Sequence, residues 1–109
     1  TAVYAPFPAL LAASAGAAYV APYLGRMNDA GRDGHAMIAQ MAEALRRTES
    51  PTAILAASVR TPEDVARLAQ HGVRHITLSP AVAGMLFQEP LTLEAARGFE
   101  AAAKDLGGY

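Results

Sequence analysis

The sequence has no cysteine, no excess of charge of either sign and no long uninterrupted hydrophobic run. Without cysteine, neither a disulfide framework nor a thiolate metal site is possible. A formal net charge of −1, with both signs dispersed, excludes the strongly basic surface typical of nucleic-acid binding. The longest apolar stretch, 5–22, is interrupted by Pro6, Pro8, Ser14 and Gly16, and is too broken for a transmembrane helix or a signal peptide. We expect a soluble cytoplasmic protein with no nucleic-acid or membrane partner.

Short apolar runs alternate with helix-like segments, which favours parallel β/α units. Candidate strands lie near 1–4, 17–22, 52–57 and 75–78, and they are apolar almost throughout, as in strands covered on both faces. A terminal helix is predicted near 92–106. A complete (β/α)8 barrel takes roughly 200 to 250 residues, and this chain has 109. The prediction is an α/β fold in which 1–109 form one segment, the C-terminal half of a TIM barrel with about four β/α units.

Local signals mark where helices begin and end. An apolar stripe that includes Met37, Met41 and Leu45 indicates a helix from about 34 to 48. Hydroxyl residues and glycines flank the other helix-like segments in the positions that capping favours. The predicted N-caps are Thr61, Ser79 and Thr92, and the predicted helix-ending glycines are Gly16, Gly72, Gly107 and Gly108.

Polar side chains follow two of the candidate strands. The loop 26–34, which includes Arg26, comes directly after the second strand, and loops in that position hold ligands in β/α barrels. Ser58 and Arg60 follow the third strand, where period-two alternation predicts both side chains on one face. Arginine and hydroxyl donors are suited to phosphate. Alternatively, Arg60 is a solvated strand end or the partner of a carboxylate such as Asp29.

The three histidines, His35, His71 and His75, raise the question of a metal site. His71 and His75 lie on either side of Gly72 at a predicted corner between a helix and a strand, so they cannot share a helical face. We interpret the histidines as structural or surface residues. The sequence predicts neither a metal nor another cofactor.

Several segments together carry a family resemblance. They are Thr1-Ala2-Val3-Tyr4, Ala15-Gly16-Ala17-Ala18-Tyr19-Val20-Ala21-Pro22-Tyr23, Gly25-Arg26, Asp29, Leu55-Ala56-Ala57-Ser58, Thr61-Pro62 and Ile76-Thr77-Leu78. In this order the chain resembles the second half of the transaldolase family, and in particular its small fructose-6-phosphate aldolase branch. The resemblance covers nearly the whole chain. It implies a class I aldolase or transferase in which a barrel lysine forms a Schiff base with a phosphorylated ketose in cytosolic sugar metabolism.

The resemblance also implies roles for individual residues. Thr1 matches a hydroxyl residue that helps to hold the catalytic water, and Tyr23 matches the aromatic residue beside that water. Arg26, Ser58 and Arg60 match the group that grips the sugar phosphate. Tyr23, together with Ala21 where many transaldolases have serine, favours the aldolase branch.

The single lysine, Lys104, is predicted on the exposed side of the terminal helix. A Schiff-base enzyme needs an amine whose pKa is lowered by its surroundings, and the resemblance places the family's catalytic lysine on a strand upstream of Thr1. The chain also starts without an initiator methionine and runs directly into apolar residues. We therefore expect a fragment or a processed chain that lacks the nucleophile and is inactive by itself.

A half-barrel leaves two unpaired strand edges beside exposed aliphatic side chains, which proteins normally cover. The expected partners are the missing N-terminal half-barrel or a second copy of the chain, in an oligomer, with a sugar phosphate as substrate. Two other functions remain open. One is a non-catalytic phosphate-binding or assembly module, and the other uses Thr1 as an N-terminal nucleophile with its own α-amine as base.

Overall fold

Three short parallel strands and six helices make up the fold seen in a computed structural model, which describes residues 1–107. The fold is α/β, as the sequence predicts. The strands are β1 (Tyr19–Val20), β2 (Ala53–Ala56) and β3 (His75–Ile76). The helices are α1 (Pro6–Ser14), α2 (Leu24–Asp29), α3 (Gly34–Arg47), α4 (Pro62–Gln70), α5 (Pro80–Met85) and α6 (Pro90–Asp105).

The strands are parallel and lie in the order β1-β2-β3. Tyr19 pairs with Ala53, and Leu55 pairs with His75. The predicted strand at 1–4 contributes only Val3, which forms an isolated parallel bridge with Pro22. Ala2 has a φ of 54°, and this left-handed conformation prevents an extended run before Val3. The predicted strands at 17–22, 52–57 and 75–78 are shorter in the structure but lie at the expected places.

The core lies between this sheet and the helices that connect its strands. Helix α3 contributes the stripe predicted from the sequence, with Ile38 and Met41 fully buried and Leu45 5% exposed. Helix α1 packs against α3, and Ala9 at their contact is fully buried. Burial of large aliphatic side chains contributes roughly 1.5–3 kcal/mol each, so these contacts hold the sheet and its crossover helices in one unit.

The N-cap predictions are confirmed for two helices and wrong for the last. The Thr61 side chain accepts a hydrogen bond from the Asp64 amide at 3.1 Å, and Ser79 accepts one from the Val82 amide at 3.2 Å. Helix α6 begins at Pro90, and the cap is Glu89, which accepts a hydrogen bond from the Thr92 amide. Proline suits the first helical position because its φ is fixed and it lacks the N–H, so the helix begins three residues before the position that an N-cap at Thr92 predicts.

The prediction of a loop over 26–34 is wrong for its first part, because α2 occupies Leu24–Asp29. Leu24 and Met27 are 0% and 1% exposed, and the three-residue spacing places both on one helical face. Burial of that face stabilises a short helix, although the polar composition of the segment is typical of a loop. The turn that follows reaches Asp33, whose carboxylate caps α3.

Helix α6 differs from the others because none of its residues is buried. Leu91 and Phe99 are 75% and 77% exposed. The helix is followed by Gly107, with a φ of 71°, as predicted, whereas Gly108 lies outside the described residues. Within 1–107, no helix has the length and apolarity needed to cross a bilayer.

Candidate functional site

Three chain segments meet at the carboxyl end of the sheet: residues 1–4, 22–32 and 57–60. We call them together the carboxyl rim. The second and third segments are joined through their backbones, since the Leu24 amide donates to the Ala57 carbonyl at 2.9 Å and the Gly25 amide donates to the Ser58 carbonyl at 2.8 Å. The first is joined to the second by the bridge between Val3 and Pro22. The carboxyl ends of parallel strands are where ligands bind in β/α folds.

Thr1 and Tyr23 lie in direct contact at the rim. The Thr1 hydroxyl and the Tyr23 phenol form a hydrogen bond of 2.6 Å. The Tyr4 ring meets the Tyr23 ring edge-on, with 5.8 Å between centroids, and this contact fixes the plane of Tyr23. Two hydroxyls in contact can jointly donate to and accept from one water molecule. The structure therefore brings together the two residues for which the family resemblance implies a water site.

The Arg26 side chain lies over the ring of Tyr23. Its guanidinium carbon is 5.3 Å from the centroid of the Tyr23 ring, within the range of a cation–π interaction. Among the described residues the Arg26 guanidinium has no ion-pair partner. It is also exposed. Arg26 therefore presents, beside the Thr1–Tyr23 contact, a positive charge that forms no ion pair within residues 1–107, although it helps to lower the pKa of Asp29.

Arg60 forms a bidentate ion pair with Asp29. The two Nη–Oδ distances are 2.8 Å and 2.7 Å. Hydrogen bonds from the Arg60 guanidinium, and its charge, hold the pKa of Asp29 below its ordinary value, and the same contact raises the pKa of Arg60. This is the carboxylate pairing that the sequence leaves open as an alternative for Arg60. The pairing places Arg60 at the rim and neutralises much of its charge.

Gly25 makes this position of Arg60 possible. A Cβ built on Gly25 would lie 2.5 Å from Arg60 Nε and 2.7 Å from the Ser58 carbonyl oxygen. Both distances are far shorter than any carbon contact in a packed protein. The guanidinium therefore lies across the bare backbone of residue 25 on its way to Asp29.

Ser58 departs from the geometry that the sequence predicts. Strand β2 ends at Ala56, and Ser58 has a φ of 56° in the left-handed region. The period-two argument for Ser58 and Arg60 therefore does not apply, because alternation holds only within extended backbone. The left-handed turn costs about 1–2 kcal/mol for a residue with a side chain. It directs the Ser58 carbonyl toward the Gly25 amide.

Beneath the rim, a buried histidine joins α3 to α4. His35 is 4% exposed, and its Nε2 lies 2.9 Å from Asp64 Oδ1. Burial raises the pKa of Asp64, but hydrogen bonds from His35, the Arg60 amide and Thr61 outweigh it, so the pKa lies below its ordinary value. The Arg60 amide contact is long, at 3.4 Å. Residues 35 and 64 are 29 positions apart, so no local signal in the sequence predicts this contact.

The other histidines do not build a metal centre with His35. The His71 ring lies 6.2 Å from the His35 ring, and the His75 ring meets the ring of Tyr19 edge-on at 5.3 Å. No group of three or more metal-ligating side chains occurs in the part of the chain that the structure describes.

A cavity of about 670 Å³ opens at the rim. Its lining residues are Tyr4, Arg26, Met27, Asp29, Ala30 and Arg32. Arg32 also donates from Nη1 to the Tyr4 carbonyl at 2.6 Å, which joins the turn after α2 to the end of the first segment. Of the predicted phosphate-binding residues, Arg26 lines this cavity, and Arg60 reaches its edge through Asp29. Neither Tyr4 nor Arg32 is among the site residues that the sequence predicts, and the only signal for Arg32 is its place in the polar segment after the second strand.

Lys104 lies on α6, away from the packed core. Its Nζ is 3.5 Å from Glu100 Oε1, an exposed pair one helical turn apart. None of the α6 residues is buried, so the amine of Lys104 lies in water, as the sequence predicts, and not in the enclosed surroundings of an activated Schiff-base lysine.

Comparison with known proteins gives a consistent result. The profile of the family described as transaldolase/fructose-6-phosphate aldolase matches residues 1–107. A probable transaldolase of Exiguobacterium sibiricum is 42% identical over 99 residues, which are 91% of this chain and 46% of that protein. Probable transaldolase 2 of Bacillus cereus is 41% identical over 101 residues, or 93% of this chain and 46% of the relative.

A third relative gives the same result. A probable transaldolase of Nitrosopumilus maritimus is 42% identical over 93 residues, 84% of this chain and 42% of its own length. The chain thus spans just under half the length of these relatives. A profile match over nearly all described residues, together with identities above 40%, establishes that the chain belongs to the transaldolase/fructose-6-phosphate aldolase family.

Proposed function

We propose that this chain is the C-terminal half of a β/α barrel in a transaldolase-like enzyme that forms a Schiff base with phosphorylated ketoses. The enzyme transfers a dihydroxyacetone unit to an aldose or releases it by aldol cleavage. One observation carries the proposal: the 2.6 Å hydrogen bond between Thr1 and Tyr23 lies directly beside the positive charge of Arg26. A water-holding hydroxyl pair and an anion-binding group are the two elements that such a reaction needs at one rim.

The chain's own residues then have distinct tasks. Arg26 binds the phosphate, and Arg60 and Ser58 complete the grip from the neighbouring segment. The bidentate contact with Asp29 leaves the other N–H donors of Arg60 available to a ligand, and it holds the guanidinium in one orientation. Thr1 and Tyr23 hold a water that carries protons to and from the reacting carbon atoms. The cavity volume of about 670 Å³ suits a ligand of sugar-phosphate size.

The nucleophile comes from outside this chain. Lys104 is on exposed α6, so its amine lacks the desolvated, electropositive surroundings that activate a Schiff-base lysine. An N-terminal half-barrel, or a second copy of the chain, closes the sheet and supplies the amine. In the reaction, the amine condenses with the ketose carbonyl and loses one water. The bond between the carbons α and β to the imine, C3–C4 of the ketose, then breaks as the C4 hydroxyl gives its proton to the water held by Thr1 and Tyr23, and the phosphorylated aldose leaves. The retained three-carbon unit is protonated and released by hydrolysis, or it attacks another aldose.

Borohydride trapping with fructose 6-phosphate tests this function. Borohydride reduces an imine to a stable amine, so the adduct appears in the intact mass of the protein. We expect an adduct on the full encoded polypeptide and none on the isolated 1–109 chain. An adduct on Lys104 of the isolated chain would contradict the assignment of the nucleophile to another segment.

An alternative is a non-catalytic phosphate-binding or assembly module. It is favoured by one observation, the exposed position of the single lysine. In that case the full encoded polypeptide binds phosphate but forms no adduct with fructose 6-phosphate under borohydride. The same trapping experiment therefore separates the two functions.

A further inference from the structure

Two positive charges at the rim cavity remain without a carboxylate partner among residues 1–107. They belong to Arg26 and Arg32, both of which line the cavity. The third arginine of the rim, Arg60, is paired with Asp29. An anion in the cavity can therefore bind Arg26 and Arg32, because neither guanidinium already forms an ion pair within the described residues.

Arg32 is held in place for such a contact. Its Nη1 donates to the Tyr4 carbonyl at 2.6 Å, and this bond uses only part of the donor capacity of a guanidinium. A side chain already fixed by one hydrogen bond loses less conformational freedom when it binds a ligand. Arg32 and Arg26 line the same cavity, and Tyr4 is a further lining residue.

We infer that Arg32 is a second anion-binding residue of this cavity, which together with Arg26 holds the phosphoryl group of a sugar phosphate. The inference rests on the proposed function, since it specifies which part of the rim contacts the phosphate. Arg32 follows α2 in a turn, so its contribution depends on the backbone path from Ala30 to Asp33 and not on the strand ends. Arg32 thereby sets the preference for phosphorylated over unphosphorylated sugars.

The test is a calorimetric titration of the full encoded polypeptide at low ionic strength with inorganic phosphate, fructose 6-phosphate and unphosphorylated fructose. Replacement Arg32→Gln removes the charge and shortens the side chain, so the contact of Nη1 with the Tyr4 carbonyl is also lost. We expect it to weaken binding of both phosphate ligands by roughly three- to tenfold, a range that reflects an exposed charge-assisted hydrogen bond, and to leave the binding of fructose unchanged. Arg32→Lys keeps the charge and retains most of the affinity.

Two further variants separate the inference from the function on which it rests. Arg26→Gln reports whether the cavity binds phosphate at all, and Arg67→Gln is a matched control on exposed α4. If Arg26→Gln weakens phosphate binding and Arg32→Gln does not, the inference about Arg32 is wrong and the proposed site stands. If neither variant weakens binding, or the parent protein binds no phosphate, both fail. Weakening by Arg67→Gln to the same extent indicates a general charge effect and overturns the specific role of Arg32.

Discussion

The guanidinium of Arg60 crosses the backbone of Gly25, where a Cβ would be 2.5 Å from Nε. Glycine at position 25 is therefore part of the structure of the carboxyl rim even though it carries no functional group. Its bare backbone also lets the Ser58 carbonyl approach to 2.8 Å from the Gly25 amide. One residue thus permits both the backbone joint between two rim segments and the path of Arg60 to Asp29.

Replacement of Gly25 by alanine should destabilise the protein by about 1–3 kcal/mol, because the added methyl group overpacks against the Ser58 carbonyl as well as Arg60. The Arg60 side chain can move aside, but the backbone carbonyl cannot move without opening the joint. Urea denaturation measures the change. Gly98→Ala is the matched control: nothing lies within 4 Å of its Cβ position on α6, so this change should be neutral or gain up to about 1 kcal/mol. Equal effects of the two variants would contradict the steric argument.

Replacement of Tyr23 by phenylalanine removes the phenol that bonds to Thr1 and leaves the ring beneath Arg26. We expect turnover of the full encoded polypeptide to fall by roughly 10²-fold or more, the usual contribution of a positioned proton-transfer group. Stability should hardly change, because the hydrogen bond is exposed to solvent. Steady-state kinetics with fructose 6-phosphate measures the effect. Tyr19→Phe is the control, since Tyr19 is 53% exposed and lies outside the rim; an unchanged rate for Tyr23→Phe would exclude the water site.

The contact between His35 and Asp64 predicts a pH dependence of stability. The folded pKa of Asp64 lies below its unfolded value of about 3.9. Stabilisation by the carboxylate is therefore fully present above pH ~4 and is lost as the pH falls through the lower, folded pKa. Asp64→Asn should lower stability by about 1–3 kcal/mol at neutral pH, since it leaves a buried histidine with a weaker partner. It should also flatten the loss of stability in acid.

Thermal unfolding at several pH values distinguishes this effect from general acid denaturation. Asp105→Asn serves as the control, because Asp105 is exposed at the end of α6. If Asp64→Asn and the parent protein lose stability with the same slope below pH ~4, the carboxylate of Asp64 does not contribute as described.

The exposed apolar side chains of α6 predict association of the chain with itself or with a complementary half. Leu91, Phe99 and Leu106 are 75%, 77% and 87% exposed, and apolar groups of this size on one helix are typical of an interaction surface. Size-exclusion chromatography with light scattering should show a species larger than 11.3 kDa. Phe99→Ser should shift the protein toward smaller species, whereas Glu94→Ser on the same helix should not. A monomer at high concentration would contradict this prediction.

Features encoded by neighbouring residues could be predicted from the sequence. The caps at Thr61 and Ser79 depend only on a hydroxyl and the amides of the next turn, so the pattern of each segment was sufficient. The parallel α/β arrangement followed from the alternation of strands and helices. Thr1 and Tyr23 could be paired only through the family resemblance, because 22 residues separate them in sequence.

Features that depend on tertiary contacts were missed. Helix α2 forms because Leu24 and Met27 are buried beneath the sheet end, and the polar composition of the segment favoured a loop instead. The left-handed turn at Ser58 is stabilised by a hydrogen bond from a different segment, so no local signal marks it. The choice between a free and a paired Arg60 depends on its distance from Asp29, which the sequence does not contain.

The two backbone hydrogen bonds between residues 24–25 and 57–58 join the rim segments without using any side chain beyond the bare Gly25. The Arg26 side chain takes no part in this joint, so position 26 can vary while the second and third rim segments stay docked. A substitution there can change the charge of the cavity with little loss of folding, which makes position 26 a suitable target for directed evolution of ligand preference.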